Sequence, residues 1–287
     1  MNTAFTRWLR LLGGVGLLLL LTGCDFALFN SKGVAGKQIG DTVLLTASIM
    51  LIVVIPTMIL AVWLPIRYRK RANNSSTYAP EWEHSSRIEF IVWAIPIAII
   101  IVLATIAYKT SHSLDPRTPV PGTDKTPLTI QVVAMDWKWL FIYPEEQIAT
   151  VNELAFPVNQ PVEFLLTSYT TMNSFFIPKL SGQLYAMAGM ENRLNVMATE
   201  EGVYRGMSSN YSGYGFSGMR FKTHVTSEAE YQQWVKKVKA APQVLDDATF
   251  ARLTEKSRDN PVEYFSNANP LFFKNIIESF TGVQNGE

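Results

Sequence analysis

The sequence has few of the side chains that bind metals or form disulfides. Its 287 residues include one cysteine and three histidines, which are Cys24, His84, His112 and His224. A single cysteine cannot form an intrachain disulfide. The chain also has no Cys-x-x-Cys pair and no phosphate-binding loop of the Walker type. These absences exclude a dithiol redox centre and a nucleotide-binding site of that kind.

Net charge is nearly absent as well. The 25 lysines and arginines are balanced by 24 aspartates and glutamates, which leaves a formal net charge of +1. A chain so close to neutrality gives no electrostatic case for a nucleic-acid partner, because such binding depends largely on neutralising phosphates. Long uncharged apolar runs are present instead, and they favour a membrane protein.

The N-terminal residues have the pattern of a secretory signal peptide. Arg7 and Arg10 precede the apolar run 11–21, and Leu-Thr-Gly-Cys follows at its end. This ending resembles the bacterial lipobox, which predicts cleavage after residue 23 and acylation of Cys24. Asp25 is similar to the signal that keeps lipoproteins in the inner membrane. We predict a signal peptide at 1–23 and a periplasmic segment at 24–41, with a chance buried cysteine as the alternative.

Two uncharged runs predict a pair of membrane-spanning helices. The runs 42–66 and 90–108 are each long enough to cross about 30 Å of hydrocarbon as a helix. The connecting loop, 67–89, is basic at its start, whereas only Lys109 and Arg117 follow the second run closely. The positive-inside rule therefore places the loop in the cytoplasm. Both ends of the chain are then periplasmic, in agreement with an exported Cys24.

The residues after the second span predict one soluble domain with a different C-terminal part. A proline-rich linker, 109–126, leads to strand-like alternation at 128–132 and again at 161–167. These patterns predict a β-sandwich or barrel over 127–226. The remaining residues, 227–287, begin with a helical pattern and end in an aromatic-rich segment. We expect that segment to form a surface strap against a partner or the bilayer.

A glycine-rich stretch at 206–219 has the spacing of a copper-binding loop without its ligands. It resembles the loop G-x-C-x-E-x-C-G-x-x-H-x-x-M of subunit II of cytochrome c oxidases, which holds a dinuclear copper centre. An upstream segment, Asn173 to Pro178, resembles the H-S-F-x-I-P motif that supplies the remaining histidine. The corresponding positions of this chain are Asn173, Ser208, Asn210, Ser212, Phe216 and Met219, of which only Met219 could still bind soft copper. Soft copper needs thiolate or imidazole donors, so we predict that the barrel binds no metal and that the polar residues hydrogen-bond to one another.

Taken in order, these features resemble subunit II of cytochrome bo-type ubiquinol oxidases. The resemblance implies a cupredoxin-like β-barrel behind a two-helix hairpin, in the bacterial inner membrane. It also implies a proton-pumping complex that oxidises ubiquinol and reduces dioxygen to water. Its haems and copper would lie in subunit I, and further small membrane subunits would complete it. Neither predicted span contains a histidine that could ligate haem, so this chain is expected to bring no cofactor and to be non-catalytic alone.

Glu89, at the cytoplasmic start of the second helix, has two interpretations. The run Glu-x-x-x-Trp-x-x-Pro resembles the segment that places a carboxylate at a proton-uptake pathway of subunit I. The pattern Ser86-x-x-Glu89 is also that of a capping box, in which each side chain bonds the backbone of the other. Both interpretations stay open from the sequence.

Two other groups of residues favour ordinary structural roles. Trp137 and Trp139 are two positions apart and are predicted to share one face of a strand, packed in the barrel or against a subunit. Four acidic residues, Asp136, Glu145, Glu146 and Glu153, are expected to be solvated. Two competing functions remain: a membrane-anchored scaffold lipoprotein, since the fold does not fix function, and a copper-bearing electron-transfer subunit, which the missing thiols disfavour.

Overall fold

Two long helices precede the β-domain. The computed structural model describes residues 26–69 and 83–281, so Cys24 and the predicted signal peptide lie outside the described residues. Helix α1 spans Val34–Arg67 and helix α2 spans Ser86–Ser113. Both are apolar and long enough to cross a membrane. Each extends beyond its uncharged run, because polar residues can continue a helix outside the hydrocarbon; the linker predicted from residue 109 therefore begins only after Ser113.

The two helices run antiparallel, and one contact fixes their relative level. Gln38 Nε2 donates to Ser113 Oγ at 2.8 Å near the periplasmic ends. Counting equally along both helices from this contact places Lys109 level with Thr42 and Glu89 level with Val62. The interval between these levels is about 30 Å at 1.5 Å per residue, which matches the hydrocarbon thickness. Glu89 is therefore about 30 Å along the helix axis from the level of Thr42 and Lys109.

The β-domain consists of two sheets that pack face to face. Its strands are β1 Leu128–Met135, β2 Lys138–Tyr143, β3 Ile148–Val151, β4 Glu153–Pro157, β5 Val162–Ser168, β6 Asn173–Phe176, β7 Leu184–Ala186, β8 Asn192–Val196, β9 Gly202–Ser208, β10 Arg220–Thr226 and β11 Glu263–Phe265. One sheet has the order β11-β3-β2-β1-β5-β8, and the other has the order β4-β10-β9-β6-β7. The pairs β1–β5 and β4–β10 are parallel, whereas the others are antiparallel. This arrangement confirms the predicted cupredoxin-like fold.

Aromatic side chains fill the space between the sheets. The Phe175 and Phe221 rings stack with their centroids 5.1 Å apart, and Trp139 meets them edge-on at 5.4 and 5.8 Å. These residues come from β6, β10 and β2, so the cluster joins both sheets. Period-two alternation in the strands directs them inward. Large aromatic rings at the centre bury much apolar surface and supply a major part of the domain's stability.

The C-terminal part, from residue 227, packs on the β-domain itself rather than on a partner subunit or the bilayer. It contains α3 Glu228–Lys239, α4 Asp247–Thr254 and α5 Phe272–Thr281. Helix α3 begins with a capping box formed by Ser227 and Glu230. Phe272, Phe273 and Ile276 are buried with strand residues in a second apolar cluster. The expected strap against a partner or the bilayer is thus wrong for these buried rings, because the outer face of the first sheet is apolar and needs a cover.

A buried carboxylate connects the barrel to this C-terminal part. Glu153 in β4 accepts hydrogen bonds from the Tyr264 hydroxyl and from Trp234 Nε1 at 3.3 Å, and His224 Nε2 lies 3.3 Å from its other oxygen. The expectation of a solvated Glu153 is therefore wrong. Burial alone would raise the pKa of this carboxyl, but the hydrogen bonds and the neighbouring His224 outweigh burial and hold the pKa below its usual value.

The Glu153→Gln variant is expected to be less stable and to lose part of its pH dependence. A carboxyl whose pKa is depressed by folding adds stability above its unfolded pKa, near 4.5, and loses it as the pH falls through the folded value. We expect a loss of roughly 1–3 kcal/mol at neutral pH, as for hydrogen bonds to a charged group. Thermal unfolding of the full chain between pH 7 and pH 3 measures this. Equal slopes for both proteins below pH 5 would contradict the assignment.

Backbone contacts hold the barrel on the periplasmic end of the hairpin. Lys32 N donates to the Lys179 carbonyl at 2.7 Å, and Val34 N donates to the Met197 carbonyl at 3.1 Å. Gly33 forms an isolated bridge with Ala198 between these two bonds. Backbone hydrogen bonds on both sides of Gly33 leave little freedom for rotation at this junction.

Gly33→Ala is expected to destabilise this junction. A Cβ atom at Gly33 would come within 1.9 Å of the Leu180 carbonyl oxygen, which is backbone and cannot rotate away. We expect a loss of about 1–3 kcal/mol, as for other overpacking changes, and faster protease cleavage next to the junction. Gly182→Ala is the matched control, because a Cβ there meets only Ile39 Cδ1 at 3.7 Å. Equal cleavage rates in the two variants would argue against a tight junction.

Candidate functional site: a copper-type loop without copper ligands

The loop between β9 and β10 brings the sequence-predicted positions together. Ser208 ends β9, one turn of 3-10 helix forms at Phe216–Gly218, and Met219 precedes β10. Ser208 N donates to the Met219 carbonyl at 3.1 Å, which closes the loop at its base. Asn173, at the start of β6, faces the same base. The fold therefore gathers these distant positions as the sequence predicts.

Hydrogen bonds join the polar residues at the base of the loop. The Ser208 hydroxyl lies 3.0 Å from Asn173 Oδ1, to which it donates, and 3.3 Å from the Asn210 carbonyl. Asn173 Nδ2 donates to the Thr171 carbonyl, and Asn210 Nδ2 donates to the Met172 carbonyl. Asn173 and Ser208 are only 1% and 4% exposed. Buried polar groups need such partners, so the polar residues stabilise the loop where ligand bonds would otherwise do so.

The remaining positions of the loop also make contacts of their own. The Ser212 carbonyl accepts a hydrogen bond from Trp137 Nε1 at 3.1 Å. The buried Ser212 hydroxyl has no partner among the described residues, so the predicted hydrogen bonding of this side chain is wrong. The Phe216 ring packs edge-on against Tyr211 with centroids 5.7 Å apart. Met219 is buried in the aromatic core. An aromatic ring thus lies where an imidazole would be, and it offers no lone pair to a metal.

The donor set does not fit a copper centre. Hydroxyl and amide groups are weak ligands for soft copper, and one thioether alone cannot hold it. Among residues 26–69 and 83–281, no group of three or more cysteine, histidine or acidic side chains could hold a metal ion. The residues 213–218 also have the spacing Gly-x-Gly-x-x-Gly. They lie in a tight loop rather than between a strand and an α-helix, so they are not a dinucleotide motif.

Trp137 and Trp139 do not share a face. Trp137 lies in the two-residue turn between β1 and β2 and has a φ of 61°, whereas Trp139 points into the core. The prediction was wrong because Asp136 and Trp137 form a hairpin turn, and a turn interrupts the strand alternation. Gly215 packs flat on the Trp137 indole, where a Cβ would come within 2.2 Å of the ring. Trp137 therefore supports the loop.

The C-terminal part also supports the loop, which the sequence analysis missed. The Arg258 guanidinium lies over the Tyr214 ring, 4.3 Å from its centroid. Asp259 is close to Gly218, where an added Cβ would come within 2.6 Å of its carboxylate. Ser209 hydrogen-bonds to Gln183 on the opposite side. No local pattern marks Gln183, Arg258 and Asp259 as partners, because they are far from residues 206–219 in the sequence.

Glu89 does not form the predicted capping box. The N-cap of α2 is Ser85, which makes no side-chain cap, and Ser86 is the first helical residue. The Glu89 carboxylate lies instead 3.5 Å from His84 Nδ1, and both side chains are largely exposed. The helix begins one residue earlier than the capping pattern requires. Ser86 is therefore inside the helix and is not the N-cap residue whose hydroxyl would accept from the backbone N–H of Glu89. The capping interpretation is wrong, and the proton-uptake interpretation remains a prediction.

Two protein-family models match this chain, one over the copper-type loop and one over the C-terminal part. The family model "Cytochrome C oxidase subunit II, periplasmic domain" matches residues 143–225, and "COX Aromatic Rich Motif" matches residues 239–283. The chain is 47% identical to cytochrome bo(3) ubiquinol oxidase subunit 2 of Pseudomonas putida, over 98% of this chain and 89% of that protein. The Pseudomonas aeruginosa protein of the same name is 48% identical over 96% of this chain and 82% of its own length. The chain belongs to the bo(3)-type ubiquinol oxidase subunit 2 family.

The two matched segments cover the copper-type loop and its C-terminal support, whereas Trp137 and Glu89 lie outside them. The first matched segment contains all the emptied ligand positions, and the second contains Arg258 and Asp259, which support the loop. Ubiquinol oxidase subunit 2 of Acetobacter aceti is also 47% identical, over 97% of this chain and 90% of that one. Among solved structures, the periplasmic domain of subunit II of cytochrome oxidase of Bradyrhizobium japonicum is similar at 23% identity. The structural match covers 41% of this chain and 95% of the Bradyrhizobium japonicum chain, with a TM-score of 0.38.

Proposed function

We propose that the chain is the subunit of a ubiquinol-oxidising haem-copper oxidase complex that carries no redox centre itself. The observation that supports it most directly is the hydrogen bond between buried Ser208 and Asn173 at the base of the copper-type loop. A site of this kind offers copper no more than one thioether, and hydrogen bonds hold its base together instead. Electrons from ubiquinol would then reach haems and copper in subunit I without passing through this barrel.

The geometry supports a docking role within the complex. Both helices expose apolar side chains along most of their length, which further membrane subunits and lipid would cover. The backbone bonds on either side of Gly33 hold the barrel at a fixed height above the hairpin. The chain would therefore cover the periplasmic side of subunit I as one piece with its membrane anchor. Acylation of Cys24 is part of this proposal, and the mass of the N-terminal peptide would measure it.

Glu89 would contribute to proton uptake. Helix counting from the Gln38–Ser113 contact supports a position about 30 Å from the level of Thr42, which would be the cytoplasmic boundary of the membrane. Its carboxylate is exposed rather than used as a helix cap. A carboxylate at this level can take a proton from the cytoplasm and present it to an adjoining subunit. His84 Nδ1 lies 3.5 Å from this carboxylate.

Purification of the complex through a tag on this chain tests the main proposal. We expect haem-bearing partners, oxygen consumption with ubiquinol, none with reduced cytochrome c, and no near-infrared copper band from this subunit after copper loading. A copper-bearing subunit would show that band and accept electrons from cytochrome c. Recovery of the chain without any haem-bearing partner would favour a membrane-anchored scaffold lipoprotein and overturn the proposal.

A further inference from the structure

An apolar turn precedes helix α1 and leaves two aromatic rings uncovered. Residues 26–30 form the turn, in which Phe29 N and Asn30 N both donate to the Phe26 carbonyl at 3.0 and 3.1 Å. Phe26 and Phe29 are 60% and 56% exposed, and their rings meet edge-on at 6.2 Å. The six residues from Phe26 to Ser31 carry no charge. Exposed phenylalanines so close together indicate a surface with a partner.

The turn lies beside the periplasmic end of α1, at the level where the uncharged run begins. A Cβ at Gly40 would come within 2.6 Å of the Leu28 carbonyl oxygen, so the backbone of the turn touches the helix there. Leu28 and Phe29 line a groove together with Gly40, Asp41 and Leu44. Thr42 is the first residue of the uncharged run and is level with Lys109 on the neighbouring helix. The turn is therefore at the outer boundary of the hydrocarbon.

We infer that the Phe26–Asn30 turn lies in the outer interface of the bilayer and contacts lipid directly. Tryptophan and tyrosine concentrate at this depth in membrane proteins, and phenylalanine occurs on the apolar face of segments that lie in the interface. Phenylalanine has no polar group that must reach water, which suits the hydrocarbon side of the interface. The turn leads at once to Lys32 and Val34, whose backbone bonds hold the barrel. The lipid contact would thus help to set the height and the rotation of the barrel above the membrane.

Photocrosslinking in native membranes tests this inference on the assembled complex. Membranes that contain the Phe29→p-benzoylphenylalanine variant are irradiated. The complex is then purified, and the peptide carrying residue 29 is analysed by mass spectrometry. We expect adducts with phospholipid acyl chains. Phe26→p-benzoylphenylalanine repeats the measurement at the second ring, in case the first variant assembles poorly.

Val244→p-benzoylphenylalanine is the matched control. Val244 is 42% exposed and next to Leu245, which pairs with Ala268 beyond β11. Strand β11 is at the opposite edge of its sheet from β8, the strand that hydrogen-bonds to the linker at Pro116. We expect no lipid adduct at Val244. A protein adduct to another subunit at positions 26 and 29, or no adduct above that control, would overturn the inference.

Discussion

Glu89→Gln is expected to slow oxygen reduction by the assembled complex by about tenfold or more, since removal of a proton-transfer group commonly costs at least this much. Gln keeps the size and the hydrogen-bonding capacity of the side chain but cannot take up a proton at neutral pH. The measurement is steady-state oxygen consumption with ubiquinol by purified complex, together with proton release from cells or vesicles. The subunit content and the haem spectrum should not change.

Glu89→Gln does not remove a helix cap. The N-cap residue Ser85 makes no side-chain cap hydrogen bond, and the Glu89 carboxylate is exposed, 3.5 Å from His84 Nδ1. Glu83→Gln removes the same charge from an exposed residue before the helix. This control should retain full turnover. Equal turnover in the Glu89 and Glu83 variants would remove the proton-uptake role and leave the rest of the proposed function intact.

Trp139→Ala is expected to destabilise the barrel by about 3–5 kcal/mol, the range for truncating a fully buried aromatic side chain. The Trp139 ring is inaccessible to solvent and meets Phe175 and Phe221, which belong to the opposite sheet. Its loss would leave a cavity at the centre of the domain. Domains are stable by only about 5–15 kcal/mol, so we expect the barrel to unfold at much lower denaturant. Pulse proteolysis of the full chain in urea measures the shift.

Trp139→Phe and Trp137→Ala are the controls for this prediction. Phenylalanine keeps most of the aromatic contact and removes an indole N–H that has no acceptor within the described part of the chain, so the loss should be small. Trp137 is only partly buried; it packs at the edge of the core and hydrogen-bonds to the emptied loop through Ser212. Its truncation should increase the mobility of the loop with less loss of global stability. A larger loss for Trp137→Ala than for Trp139→Ala would contradict the assigned positions of the two rings.

Local patterns predicted the elements and the chemistry of the site. The uncharged runs gave both helices, and period-two alternation gave β1 and β5 within a few residues. The residue types at 173 and 206–219 were enough to predict a loop without copper ligands, because metal affinity depends on the donor atoms first. The structure adds that Ser208 and Asn173 bond to each other, which their types allow but do not require.

Predictions about how side chains point were less successful. The capping box at Ser86 and the shared strand face of Trp137 both assumed an element boundary, and each boundary lies one or two residues away from the assumed position. A shift of one residue changes which backbone group a side chain can reach. Glu153 was expected in water because acidic residues usually are, and only the fold shows that Tyr264 and Trp234 cover it.

The sequence by itself determined the membrane hairpin, the β-domain and the absence of copper ligands, since these depend on hydrophobic run length, on alternation and on donor chemistry. Only the tertiary structure decided what surrounds those features. The support of the loop by Trp137 and Arg258 and the burial of Glu153 depend on contacts between residues far apart in the chain. Such contacts depend on how whole elements pack, and no local pattern encodes them.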